Sequence, residues 1–195
     1  MNIIDLLIKA GIIVSMILIR IYWRAAEEEA DMKIPSTSTR RTRFRNQFRA
    51  IEIAFYIVLL IQCFVYPILP FNPSIVTQAL GLVLFVSGVR ISVSGRTALA
   101  ENWNHLIDYQ VKEKQELVTD GVYRLVRHPI YAGFWFMLTA IEILLHSWLF
   151  IVVGLGVFVF IYLQSVKEES ILARHFGKEY LKYMHRSKMF IPYIF

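Results

Sequence analysis

The sequence predicts an all-α integral membrane protein, a bundle of five transmembrane helices with a pocket at its cytoplasmic face. Three observations predict it. Hydrophobic residues make up 56% of the 195-residue chain and charged residues only 18%, against about 25% charged in an ordinary soluble domain. The apolar residues fall in long runs, and helices apolar all round need either a large core or lipid to cover them; a chain this short has no such core to offer. The basic residues gather in alternate connections between the runs, the asymmetry that orients membrane helices.

The runs are 3–23, 50–69, 75–93, 130–145 and 148–163, each near the roughly 17–25 residues that cross a bilayer. The first contains Asp5 and Lys9, four positions apart and able to neutralise each other on one helix face. The connection 24–49 is rich in Arg, and its part from Thr39 to Arg49 reads as an interfacial helix or as a flexible basic loop. Pro35-Ser36-Thr37-Ser38-Thr39 is a break before it. The connection 94–129 and the tail after 163 are also basic, whereas the links around Phe71–Pro73 and His146-Ser147 hold no Lys or Arg. The N-terminus is therefore expected outside, with the C-terminus and the long loops in the cytoplasm. The organisation is three N-terminal helices over 1–95, followed by a C-terminal region over 96–195 built on a transmembrane hairpin at about 129–165.

This pattern disposes of several function classes. The net charge of +6 resides in loops, where topology and anionic headgroups explain it better than nucleic acid does, and no nucleic-acid motif is present. Cys63 stands alone inside an apolar run, so there is no disulfide framework. The first 23 residues lack a small-residue cleavage site, unlike a signal peptide. Gly154-Leu155-Gly156 lies inside an apolar run rather than after a strand, a helix-packing feature and not a dinucleotide fingerprint. No Walker loop, zinc-ligand set or nucleophile elbow occurs.

Only two residues, His146 and Ser147, separate the last two runs, so they form a tight antiparallel hairpin. That brings Arg127-His128-Pro129 beside Lys167-Glu168-Glu169 at one end of the bundle. Pro129 suits the first turn of a helix, which puts His128 at a helix N-terminus, where free N–H groups favour an anion; the bland alternative is a basic membrane edge with a helix-starting proline. Gly133 permits close approach of a ligand or a helix. Glu168 and Glu169 oppose the dipole at a helix C-terminal end, so a cationic partner or ligand is expected for them. Leu172, Phe176, Tyr180 and Tyr183 recur at helical spacing and read as packing, with Gly177 a break or bend. Of the polar residues in or near the runs, Glu52 and Glu142 read as structural, and Arg90 as either structural or functional.

The order Leu117-Val118-x-x-Gly121-x-Tyr123-x-x-x-Arg127-His128-Pro129-x-Tyr131-x-Gly133, then Glu168-Glu169-x-x-Leu172-x-x-x-Phe176-Gly177-x-x-Tyr180-x-x-Tyr183, resembles the isoprenylcysteine carboxyl methyltransferases, over about the C-terminal half, as a short member of prokaryotic or archaeal type. The resemblance implies S-adenosylmethionine as cofactor, S-adenosylhomocysteine as product and no Rossmann domain. It implies cofactor contacts from Gln115, Glu116, Leu117, Val118, Tyr123, His128, Pro129, Ile130, Tyr131 and Glu168, a lid from 102–119 and the tail, and a prenylated cysteine entering from the bilayer to be esterified at its carboxylate. That family tends to place a basic residue four positions before the acid matching Glu168, where this chain has Gln164; either Arg90, Arg124 or Arg186 takes over the carboxylate, or the substrate differs. Methylation of a phospholipid amine and a nicotinamide-dependent membrane reduction are the rival readings.

Overall fold

The computed structural model describes residues 3–33, 39–102 and 115–194, with the side chains of 27, 29–33, 39–48 and 101 outside the described set. Among these residues the secondary structure is helical, and strand pairing is confined to the isolated bridges Pro70–Ser147 and Val126–Lys188. Six α-helices follow one another: α1 (Ile3–Lys33), α2 (Thr39–Phe64), α3 (Ile75–Leu99), α4 (Pro129–Leu144), α5 (Leu149–Phe176) and α6 (Lys178–Arg186), with 3-10 turns at Ala100–Asn102 and Gly121–Arg124. Each of the five apolar runs lies on one of α1–α5.

Several boundaries differ from the sequence reading, among them that of α3, read to 93, which runs on to Leu99. Most of the connection 24–49 is helix, because α1 continues to Lys33 and α2 starts at Thr39. Ala25, Ala26 and Glu27–Glu29 are strong helix formers, and Arg24 pairs with Glu28 at 3.2 Å one turn on. The break expected at 35–39 lies outside the described residues apart from Thr39, and Thr39–Arg49 is helical backbone continuous with the second run. That run, read to residue 69, stops being helix at Phe64. Pro67 disfavours helical backbone at Tyr66, Leu69 adopts φ 50°, and the Ile68 N–H bonds the Gln62 side chain instead of a helical carbonyl. The last run, read to 163, continues as helix through Phe176. Gly177 with φ 56° then separates it from α6, the conformation a glycine adopts without a Cβ penalty.

Helix α4 is the centre of the bundle. The buried faces of α3 and α4 meet along Gly81, Gly88, Ser92 and Gly95 on one side and Ile130, Gly133, Met137 and Leu144 on the other. At Gly133 a Cβ would stand 2.5 Å from the Gly88 carbonyl oxygen and 2.6 Å from Ser92 Cβ, so the close approach this glycine permits is to a helix. Small residues that let two backbones touch are how helices associate where lipid removes the hydrophobic drive. Gly133→Ala is expected to lower stability by about 1–3 kcal/mol, read as an earlier thermal transition. Gly11→Ala, whose Cβ would meet nothing within 4 Å, is expected to leave it unchanged or raise it; equal effects of the two would refute the contact.

The hairpin of α4 and α5 forms as expected. Trp135 on α4 donates its indole N–H to the Gly154 carbonyl at 2.9 Å. At the hairpin tip the Trp148 N–H reaches Leu69 O and the Phe71 N–H reaches His146 O, tying the α2–α3 link to the α4–α5 link. Just inside that end, Gln62 donates to both carboxylate oxygens of Glu142 at 3.1 Å and Lys9 pairs with Asp5 at 3.2 Å. Glu142 thus has the structural role the sequence suggested. The strongly apolar windows of α3 and α5 are only 22% and 17% buried within the protein. Their outer faces therefore need lipid rather than protein to cover them, and the chain is an integral membrane protein.

Candidate active site

The end of the bundle opposite the hairpin tip is organised by Glu169 on α5. One of its oxygens, Oε1, accepts from Arg127 Nε at 2.6 Å and lies 3.1 Å from His128 Nε2. Arg127 goes on to donate Nη1 to the Ser187 carbonyl at 2.6 Å and the Met184 carbonyl at 3.3 Å. Main chain completes the knot: Arg127 and His128 donate to Lys188 O and Met189 O, and Lys188 donates to Leu125 O. Glu169 thereby clamps the start of α4 and the tail together. Burial alone would push its carboxyl up, but the hydrogen bonds from His128 and Arg127 outweigh it and hold the group ionised below the usual carboxylate range.

Glu168, the next residue, projects about 100° further round the helix and does a different job. Its side chain is 42% exposed where that of Glu169 is 8% exposed. The Tyr131 hydroxyl donates to Glu168 Oε2 at 2.8 Å, and the Tyr131 ring lies parallel to the His128 ring, centroids 5.4 Å apart. The carboxylate is thus held by the Tyr131 hydrogen bond, with His128 Nδ1 3.8 Å from the same oxygen, and it stays 42% exposed. Tyr123, Tyr180 and Tyr183 pack as a buried cluster beneath it, with Tyr183 donating to the Tyr123 carbonyl. Burial, reinforced by the nearby carboxylates, pushes all three phenols well above their ordinary value, so they remain neutral across the physiological range.

These groups open into a cavity of about 790 Å³, inside the roughly 300–1,000 Å³ range of small-molecule sites. Of the residues expected to touch a cofactor, Gln115, Glu116, Leu117, Val118, Tyr123, His128, Ile130, Tyr131 and Glu168 all line it. Pro129 is buried at the first turn of α4 and does not. Gln164 lines it too, but Arg90, Arg124 and Arg186 are exposed and lie outside its wall. The Arg127 side chain, beside the helix start expected to favour an anion, is occupied by Glu169 and two carbonyls. Of the expected lid, 103–114 lies outside the described residues; Asn102 accepts the Glu116 N–H at 2.9 Å, joining the flanks of that segment.

The sequence reading missed the opposite wall. Met16, Ile19, Arg20 and Trp23 of α1 and Arg49, Glu52, Phe55 and Tyr56 of α2 face the same cavity. Trp23 packs on Phe134 at 5.1 Å, and Arg20 Nε meets Glu52 Oε1 at 2.7 Å. The signal available was the spacing of Arg49, Glu52 and Tyr56, which places three polar residues on one face where α2 passes from its basic start into its apolar run. Further along, the wall turns apolar through Met137, Leu138, Val153, Val157 and Phe160.

The model of the phospholipid methyltransferase family matches residues 76–179, from α3 through the start of α6. Mouse protein-S-isoprenylcysteine O-methyltransferase is 31% identical over 118 residues, 60% of this chain and 42% of its own length. Protein-S-isoprenylcysteine O-methyltransferase A of Arabidopsis thaliana is 30% identical over 115 residues, 58% of each chain. The chain thus spans about half the length of the curated relatives it matches. Among solved structures, that of a eukaryotic intramembrane Ras methyltransferase, an isoprenylcysteine carboxyl methyltransferase, superposes with a TM-score of 0.56 at 23% identity, covering 84% of this chain and 56% of that one; the fold is shared.

Proposed function

The chain belongs to the phospholipid methyltransferase family, and on that premise we propose that it uses S-adenosylmethionine to esterify the carboxylate of a prenylated cysteine at the cytoplasmic membrane face. The observation that carries the reading is one cavity with two kinds of wall: polar at Glu168, Tyr131 and His128, apolar along α4 and α5. A zwitterionic methyl donor and a long hydrocarbon need just those two surfaces side by side. The Glu168 carboxylate, held by Tyr131 and 42% exposed, fits an ammonium group, and Leu117, Val118 and Leu172 offer an apolar face to a purine ring.

When bound, the cofactor supplies an activated methyl group, so that the substrate oxygen gains the methyl, the carbon–sulfur bond breaks onto sulfur and no proton is released. The acceptor carboxylate is already ionised at neutral pH, with a pKa of about 3.5, so no general base is required. What remains for the protein is alignment and partial removal of water from the reacting groups. His128 and Tyr131 orient Glu168, the Glu169 clamp holds their helix start in place, and the apolar wall keeps the hydrocarbon in a lipid-like environment. Withdrawing that chain into water would cost about 0.8 kcal/mol per CH₂, so the substrate enters sideways between helices.

Purified protein in nanodiscs, given methyl-labelled S-adenosylmethionine and N-acetyl-S-farnesylcysteine, is expected to form a labelled product that releases methanol in mild base, as esters do. The family description favours a second reading, methylation of a phospholipid amine, which would instead give base-stable label on phosphatidylethanolamine. Label in neither substrate defeats the methyltransferase reading. With five crossings by α1–α5, tags at the two termini should be accessible from opposite faces of the membrane; tags on the same face would remove one crossing.

A further inference from the structure

Among the described residues three arginines line the cavity: Arg20, Arg49 and Arg127. Arg127 is tied to Glu169 and to the carbonyls of Met184 and Ser187, its side chain only 10% exposed. Arg20 and Arg49 differ. Arg20 stands at the end of an apolar stretch of α1, where a charge is costly unless it has work. Its partner Glu52 lies one turn from Arg49 on the same face of α2, with Tyr56 one turn further along. The side chains of Arg20 and Glu52 are 30% and 32% exposed toward a shared cavity, so the pair is a wall of the site and not a packed core bridge. Arg20, Arg49 and Glu52 carry one net positive charge, at a position flanked by Met16, Ile19 and Phe55.

We propose that Arg20, oriented by Glu52, and Arg49 form the subsite that holds the anionic head of the lipid substrate, a carboxylate on a hydrocarbon-bearing group, and so discriminate the acid from its methyl ester. The identity of that anion rests on the methyltransferase reading. Arg20 and Arg49 both line the cavity, and a planar guanidinium fork matches the two oxygens of a carboxylate. The charged residues described along the cavity agree: at the end with Glu116 and Glu168, Arg127 is neutralised by Glu169, while on α1 and α2 the two cations Arg20 and Arg49 outnumber the one acid, Glu52. Both helices fall outside the matched segment 76–179. The matched segment carries Glu168, Tyr131 and His128, and α1 and α2, which precede it, carry Arg20 and Arg49. Esterification removes the negative charge that these arginines bind, which lowers the affinity of the product for the subsite and favours its departure into the bilayer.

The test is equilibrium binding to the full chain in nanodiscs, which needs no turnover. The probes are N-acetyl-S-farnesylcysteine and its methyl ester, two ligands with the same tail. The unaltered protein is expected to bind the acid at least about tenfold more tightly than the ester. Arg20→Ala should weaken the acid by about 10- to 100-fold and leave the ester within about twofold, with Arg49→Ala acting in the same direction. Arg20→Lys should recover part of the loss. Ester binding doubles as proof that the variants keep their cavity. Equal affinity for acid and ester in the unaltered protein, or an Arg20→Ala loss shared equally by both, overturns the subsite. Lysophosphatidic acid against the matching monoacylglycerol is the second pair; stronger discrimination there would overturn the carboxylate assignment and move the anion to a phospholipid head. A chain that discriminates charge yet transfers no methyl group loses the proposed activity and keeps the subsite. One that methylates without discriminating loses the subsite alone.

Discussion

Glu169→Ala is expected to destabilise the protein by about 3–5 kcal/mol, the usual penalty for removing one partner of a buried ion pair. Arg127, its side chain 10% exposed, would be left with carbonyls as its partners in this knot, and His128 would lose the acceptor 3.1 Å from its Nε2. The loss should appear as a lower thermal transition and as proteolytic sensitivity of the tail after Phe176, since Met184 and Ser187 are attached through the same arginine. The pH dependence has a defined sign. Because the folded-state carboxyl is held below its ordinary value, its stabilisation is fully present above about pH 4.3 and drains away as pH falls through the folded-state pKa. The unaltered protein should therefore lose thermal stability below about pH 4 more steeply than Glu169→Gln. Parallel pH profiles for the two would contradict the clamp.

Glu168→Ala separates binding from folding. Its side chain is 42% exposed and bonded to Tyr131 rather than to a buried cation, so the thermal transition should stay close to that of the unaltered protein. Affinity for S-adenosylhomocysteine, measured by isothermal titration, should fall by roughly 10- to 150-fold, the equivalent of about 1.5–3 kcal/mol for a lost charged hydrogen-bond partner. His128→Ala should weaken the same ligand while also costing stability, because that ring touches both carboxylates. Unchanged ligand affinity in both variants would place the donor site elsewhere.

Much of the architecture was legible in the chain. Each apolar run lies on a helix because its residues are mostly apolar, although the second leaves its helix at Phe64. The two-residue link at His146-Ser147 forces α4 and α5 into a hairpin whatever else packs around them, and the hairpin carries Arg127-His128 to Glu168-Glu169. Pro129 starts α4 and Gly177 ends α5 for local steric reasons that need no neighbour. The family resemblance, resting on the ordered motifs from Leu117 to Tyr183, pointed to residues of which all but Pro129 line the cavity.

What the sequence left open was settled by packing. Glu168 and Glu169 are adjacent and chemically identical, and only the rotation of α5 against α4 decides that one is buried on Arg127 and the other faces the cavity. Arg127 stands beside a helix start that favours an anion, yet Glu169 of α5 and two carbonyls of the tail take up its side chain. Arg90, Arg124 and Arg186 carry the right charge but lie on surfaces turned away from the cavity, while Arg20 and Glu52, 32 positions apart, meet at 2.7 Å because α1 and α2 form its opposite wall. Composition and period settle which segments are helices, since those depend on neighbours along the chain. Which face of each helix turns inward depends on where two backbones can touch, as at Gly88 and Gly133, and that contact is made between residues far apart in the chain.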